Sequence, residues 1–384
     1  MNLKQLLVAL TVLALTPSAA VQAQVPTAPE LGATSYVLLD FHSGDTIAEK
    51  QPSLRVEPAS ITKLMTSYVV FRELAAGQLS LDDSVLISTK AWRTGGSRMF
   101  VEVDTEVSVE DLLLGVIVQS GNDASVALAE HVAGSEEVFA QMMNAEAERL
   151  GMVNTSYENA TGLPAPEHYT TARDVAILAR ALIAEFPQYY GWYSRHEFTY
   201  NDITQQNRNL LLYRDQSVDG LKTGHTEAAG YCLATSALRD GMRLISVVMG
   251  TESESARATA SQALLNYGFR FFETFKLYSA GDVISTTPVW KGELEEMRLG
   301  IGADVFVTVP RGSQGSLSAD VLVPSKPIAP FEQGQQFGTL EVSFDGDTRL
   351  ERPLVVLDEV PRAGWWGRTT DGLGLWFDGL FGDD

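Results

Sequence analysis

One cysteine, five histidines and a shortage of basic side chains mark this 384-residue sequence. The lone Cys232 excludes an internal disulfide, and its place in the apolar stretch YCLATSAL makes it a small buried strand residue. The histidines, at 42, 131, 168, 196 and 225, show no H-E-x-x-H pattern and have no C-x-x-C companion, so no metal and no cofactor are expected. Lys and Arg number 28 against 49 Asp and Glu, a net charge of −21. No basic patch is available to meet phosphates, which excludes nucleic acid as a partner. Repeats and low-complexity tracts are also absent.

The apolar run at the start, MNLKQLLVALTVLALTPSAAVQA, is too short to span a membrane and ends in small residues. Residues 1–23 therefore read as a secretory signal peptide, cut after Ala23 or Ala20, and the mature protein is expected outside the cytoplasm. Residues 35–50 (SYVLLDFHSGDTIAEK) pattern as a hairpin around Ser-Gly-Asp. Residues 61–76, then VEDLLLGVIVQ, DASVALAEHVA, SEEVFAQMMNAEAERLG and TARDVAILARALIAEF, have helical length and spacing. After about residue 195 strands return: EFTYND, then a hairpin across Arg-Asp-Gly in GYCLATSALRDGMRLISVVMGT, closed by a helix from Ser253 to Leu277. This order predicts an α+β unit over 24–280, an antiparallel sheet flanked by helices. From Gly281 to about Val360, short strands punctuated by Gly and Pro predict a second, small all-β domain over 281–360.

Residues 361–384 form a third unit. Trp366, Thr370, Leu373, Phe377 and Leu380 recur at three-four spacing, beside Trp365, Trp376 and Phe381. An aromatic-rich amphipathic tail can lie in a membrane interface. Arg362 and Arg368 are outnumbered by Asp371, Asp378, Asp383 and Asp384, so apolar insertion rather than attraction to anionic lipid would bind it.

The chemistry centres on PASITKLM, residues 58–65. Ser60 before an apolar helix is a favoured N-cap. A capping box would place Glu or Gln three residues on, but Lys63 stands there, a cation in the first turn against the helix dipole. A broken local rule points to function. A serine at a helix N-terminus sits where negative charge is favoured, and a desolvated lysine one turn on can serve as its base. S-x-x-K alone arises about once by chance in a chain this long. Two further pieces occur in order: Ser120-Gly121-Asn122, 60 residues after Ser60, and Lys222-Thr223-Gly224, 102 residues after Ser120. Singly, these read as a turn with an Asn cap and as the start of an apolar strand. Together they form the S-x-x-K, S-x-N, K-T-G set of penicillin-binding proteins and class A β-lactamases.

Along its whole length the chain resembles the low-molecular-mass penicillin-binding proteins of the D-alanyl-D-alanine carboxypeptidase type. NATGLPAPEHYTTARDVA (159–176) and GFRFFETF (268–275) are similar to that family as well. Gly121 replaces the Asp of S-D-N, which is usual in this branch. The resemblance implies a β-lactamase/transpeptidase-like catalytic domain and a serine hydrolase. Ser60 would attack the bond between two D-alanines and Lys63 would take its proton. Backbone N–H groups of Ser60 and His225 would form the oxyanion hole, Ser120 would relay a proton to the leaving amine, and Lys222 would tune the electrostatics. Asn122 would hold the peptide amide. Thr223, with Gly224 beside it, and the guanidinium of Arg257 would bind the terminal carboxylate. The implied partners are peptidoglycan stem peptides, β-lactams as slow acyl esters, and the membrane surface through the tail. The implied location is the periplasmic face of the cytoplasmic membrane.

Three other readings share some of these features. A β-lactamase would need a deacylating Glu between the second and third motifs. Glu158 and Glu167 lie there, but in carboxypeptidase-like context. A DD-endopeptidase generally lacks the second domain and the tail. A non-catalytic wall-binding protein would have no use for six intact motif residues.

Overall fold

The computed structural model describes residues 25–365. The expected signal peptide and the tail from Trp366 onward lie outside the described residues. A five-stranded antiparallel sheet divides the first domain. Its strands are β1 (Ser35–Asp40), β2 (Thr46–Lys50), β3 (Val218–Thr226), β4 (Gly230–Arg239) and β5 (Met242–Thr251), in the order β2-β1-β5-β4-β3. Both faces are covered, which accounts for apolar residues at successive positions of β5, Leu244-Ile245 and Val247-Val248-Met249. Ile245, Val247 and Met249 enter the core beneath the helices, while Leu244 and Val248 enter the core on the opposite face.

The larger core packs the sheet against α1 (Lys63–Ala75), α2 (Val109–Leu114), α3 (Asn122–Ala133), α4 (Glu136–Leu150) and α5 (Ala172–Glu185). Side-chain caps set several helix starts: Ser108, Ser135 and Thr171 accept from the backbone N–H of Asp111, Val138 and Asp174. Glycines in the left-handed region end α3 and α4, Gly134 at φ 77° and Gly151 at φ 78°. The opposite face of the sheet carries α6 (Glu254–Phe271).

The closing helix is shorter than the sequence pattern predicts. It stops at Phe271, and Phe272–Tyr278 is a strand, β6. This segment pairs antiparallel with β9 (Val305–Pro310), Phe272 opposite Pro310. Pairing with a partner strand overrides local helical propensity here. The β unit continues as β7 (Val283–Pro288), β8 (Glu296–Ile301), β10 (Leu317–Leu322), β11 (Gln336–Phe344) and β12 (Asp347–Val356), a sheet ordered β7-β8-β12-β11-β10 around its own core.

The two domains meet at the β1–β2 turn. The buried Asp40 carboxylate accepts from the backbone N–H groups of His42 and Ser43 and from Thr274 Oγ1 of β6 at 2.7 Å. Ser43 Oγ lies 2.7 Å from Thr308 Oγ1, and the His42 ring stacks on Phe306 with centroids 4.7 Å apart.

Candidate active site

Ser60 lies in one 3₁₀ turn, Ala59–Thr62, that runs directly into α1. No side chain caps the start of either segment, so Ser60 is not a helix cap. Ala59, just before it, has φ 49°, a strained value for a residue with a β-carbon. Lys63 follows one turn on and is only 1% exposed. Its Nζ lies 3.2 Å from Ser60 Oγ, 2.7 Å from Asn122 Oδ1 and 2.5 Å from the Thr161 carbonyl oxygen. A neutral amine has two N–H donors and one lone pair. Asn122 and Thr161 are acceptors for the two donors, which leaves the lone pair for the Ser60 hydroxyl proton. Burial, with the Arg208 charge adding to it, pulls the Lys63 pKa down to about 7, and Asp123 opposes the fall.

The second motif closes one wall. α2 passes into a π-helical turn, Gly115–Gln119, and Ser120 follows at φ 60°, ψ 35°. That left-handed residue turns the chain so that Asn122 opens α3 and faces Lys63. The Asn122 carboxamide is engaged at both ends, since Nδ2 donates to the Gly95 carbonyl at 2.7 Å. Gly121 sits where a side chain would be tightly packed. A β-carbon there would stand 2.9 Å from Asp123 Oδ1 and 3.1 Å from the Met99 nitrogen. The buried Asp123 carboxylate pins the neighbouring loop by accepting from the N–H groups of Met99 and Phe100 at 2.9 and 2.8 Å.

The third motif lies in the middle of β3 rather than at its start. Asp219 makes the early part of the strand look polar, but the Arg243 guanidinium meets that charge at 2.7 and 2.9 Å. β3 is the sheet edge, so part of its backbone faces the cleft and can pair with an extended ligand. Gly224 permits the close approach to the serine turn: a β-carbon on it would lie 3.0 Å from the Pro58 oxygen. Lys222 is buried and its pKa is pushed well down by desolvation, then by Lys63, Arg208 and Arg257. Arg257, from the first turns of α6, donates to the Gly224 carbonyl at 3.2 Å and lies over the Tyr231 ring at 5.6 Å. Tyr231 also packs on the His225 ring, with centroids 4.0 Å apart.

Ser60, Ser120, Thr223, Gly224, His225 and Arg257 line one cavity of about 240 Å³. Lys63, Asn122 and Lys222 are buried beside it. The wall also holds Ser97, Arg208, Tyr231 and Glu254, none of them singled out from sequence. Arg208 had one local signal. It sits between two buried asparagines whose side chains shape the turn, Asn207 accepting from Asn209 and Asn209 from Leu211. Thr161, which supplies an acceptor for Lys63, lay within the quoted 159–176 stretch without being assigned. Glu158 and Glu167 are exposed and line no part of this cavity.

With this geometry the relationship is decided by what matches it. Residues 22–253 match the family described as D-alanyl-D-alanine carboxypeptidase. The chain belongs to that family. It is a serine-type DD-carboxypeptidase, a hydrolase. Residues 272–362 match the C-terminal domain of penicillin-binding protein 5. The D-alanyl-D-alanine carboxypeptidase DacA of Escherichia coli strain K12 is 41% identical over 370 residues, 94% of this chain and 92% of that protein. The crystal structure of penicillin-binding protein 5 from Haemophilus influenzae superposes with a TM-score of 0.85 at 42% identity, covering 88% of this chain and all of the other. A D-alanyl-D-alanine endopeptidase of Escherichia coli is 33% identical, but over only 58% of this chain and 72% of its own length. The carboxypeptidase assignment therefore rests on both domains and the endopeptidase alternative on one.

Proposed function

We propose that the protein removes the terminal D-alanine from peptidoglycan pentapeptide stems through an acyl-enzyme on Ser60. The observation that carries this reading is the Lys63 amine, 3.2 Å from Ser60 Oγ and held near neutrality. Lys63 takes the hydroxyl proton as Oγ adds to the carbonyl carbon of the penultimate D-alanine. The N–H groups of Ser60 and His225 receive the oxyanion. Collapse breaks the C–N bond, and the leaving amine takes the proton from Lys63 by way of Ser120. Water then attacks the ester, Lys63 accepts its proton, and as the acyl C–Oγ bond breaks Lys63 returns that proton to Ser60 Oγ.

Substrate binding follows from the charge pattern. The guanidinium groups of Arg208 and Arg257 line a small cavity and favour an anionic chain end. Thr223 and Arg257 hold the terminal carboxylate, and Lys222 strengthens the field without transferring a proton. Asn122 orients Lys63 with one lone pair and retains the other, and one N–H, for the peptide amide. β-Lactams present the same carbonyl and carboxylate and are expected to acylate Ser60.

The protein is proposed to be exported and to act at the outer face of the cytoplasmic membrane, attached by its C-terminal tail. Among the described residues no helix is long and apolar enough to cross a membrane. A chain ending at Arg362 should leave the membrane fraction. Pelleting with membranes regardless would remove the tail as the anchor.

Release of free D-alanine from an acyl-D-Ala-D-Ala peptide, measured beside Ser60→Ala, tests the central reading. Release that disappears in the variant supports it. Equal release by both proteins would remove Ser60 as the nucleophile.

A further inference from the structure

Glu254 is the one carboxylate among the residues lining the active-site cavity. It is the first residue of α6, behind the Ser253 cap, where a negative charge suits the helix dipole. That explains an acid at this position. It does not explain why the side chain shares the cavity with Arg257, its Oε1 standing 3.6 Å from the guanidinium.

The two side chains are unequally placed. Arg257 is 3% exposed and Glu254 60%. A guanidinium so buried needs a negative charge nearby, and its other partners, the Gly224 carbonyl and the Tyr231 ring, carry none. Glu254 supplies that charge at a distance longer than a hydrogen bond, so the attraction is Coulombic and leaves the carboxylate free to swing out. A substrate ending in a carboxylate brings the same planar, singly charged group to the same guanidinium.

We infer that Glu254 holds the place of the substrate's terminal carboxylate in the free enzyme and is displaced from Arg257 when substrate enters. The inference rests on the proposed assignment of Arg257 to that carboxylate. Binding an anionic chain end then means breaking one ion pair to form another, with two carboxylates left near one cation. A neutral chain end meets neither cost. Glu254 thus sets the margin by which the site prefers a free C-terminus, against the pull of the Arg208 and Arg257 guanidinium groups.

The test compares the full-length wild type with Glu254→Gln, which keeps size and removes charge. Each cleaves acyl-D-Ala-D-Ala and the same peptide with a C-terminal amide, and kcat/KM is measured for both. The ratio of acid to amide should rise about two- to five-fold in the variant, the range expected for losing one half-exposed ion pair, and the rise should shrink at high salt. Any misfolded fraction cancels from the ratio, and a purely structural role would change both peptides alike. An unchanged or lowered ratio overturns the inference and leaves the carboxypeptidase reading intact. A wild type that releases no D-alanine would remove that reading, and this inference with it.

Discussion

Gly162 faces the backbone of Ala59 so closely that a β-carbon on it would lie 1.8 Å from the Ala59 carbonyl oxygen. Gly162 also has φ +83°, a conformation side chains resist. The loop that gives Lys63 its Thr161 acceptor is thereby pressed onto the residue preceding the nucleophile. Asn159 fixes the same loop by accepting from the N–H groups of Thr161 and Gly162 at 3.1 and 2.8 Å.

Gly162→Ala should therefore damage chemistry as well as stability. Overpacking and the left-handed backbone together are expected to cost about 2–4 kcal/mol. Relief of the clash must move either Thr161 or the serine turn, which separates Lys63 from one partner. The acylation rate of Ser60 by a fluorescent penicillin should fall at least ten-fold in the folded fraction, and the melting temperature should drop. A variant acylating within two-fold of wild type would show that the loop does not position the lysine.

The Lys63 pKa gives the reaction a pH signature. Acylation needs the neutral amine, so its rate should rise about ten-fold per unit as pH approaches 7 from below and level off above it. Stability follows a different window. The unfolded lysine titrates near 10.5 and the folded one near 7, so between these values the unfolded state binds more protons and stability increases as pH rises. A rate profile that inflects only above pH 9 would mean a protonated Lys63 in the working enzyme.

The three motifs were legible because they are local departures from ordinary patterning. Lys63 occupies the place of a capping acid, and Gly121 and Gly224 mark positions where a side chain would collide. The alternation that gave β1, β2, β4 and β5 was equally plain. What escaped was set by tertiary contact. The segment Phe272–Tyr278 looks helical after Gly268-Phe-Arg-Phe and becomes a strand only because β9 lies beside it. Strands β8 and β12 are hard to read from the sequence because Arg298, Glu351 and Arg352 interrupt their apolar pattern on the exposed face. Arg208 and Glu254 look like surface charges in the sequence. They become site residues only when a turn near residue 208 and the start of α6 converge on β3.

Arg208 should therefore matter although no motif contains it. Its charge lowers the pKa of both Lys63 and Lys222. Arg208→Ala should move the inflection of the acylation profile to higher pH and raise KM for a peptide ending in a carboxylate. Arg208→Lys, which keeps the charge without the planar fork, should restore the inflection more fully than the KM. An inflection that stays in place in the alanine variant would show that the arginine does not act on Lys63.

His168 supports the same turn from behind. Its Nδ1 accepts from the Glu158 N–H at 3.0 Å, so Nε2 carries the proton and donates to Thr62 Oγ1 at 2.8 Å. The ring is buried, and desolvation, with Lys63 adding to it, lowers its pKa to about 4. The unfolded histidine titrates near 6.5, so below that pH the unfolded state takes up a proton that the folded state refuses until about 4. The neutral ring's contribution is complete above pH 6.5 and is lost as pH falls toward 4. By pH 4.5 the loss should reach roughly 2–3 kcal/mol, since the folded ring titrates near 4 and the unfolded one near 6.5. Urea unfolding of wild type and His168→Gln at pH 7 and 4.5 checks this. The wild type should lose more stability on acidification than the variant by about that amount. Equal losses would show that the ring is protonated, or free to leave its pocket, well above pH 4.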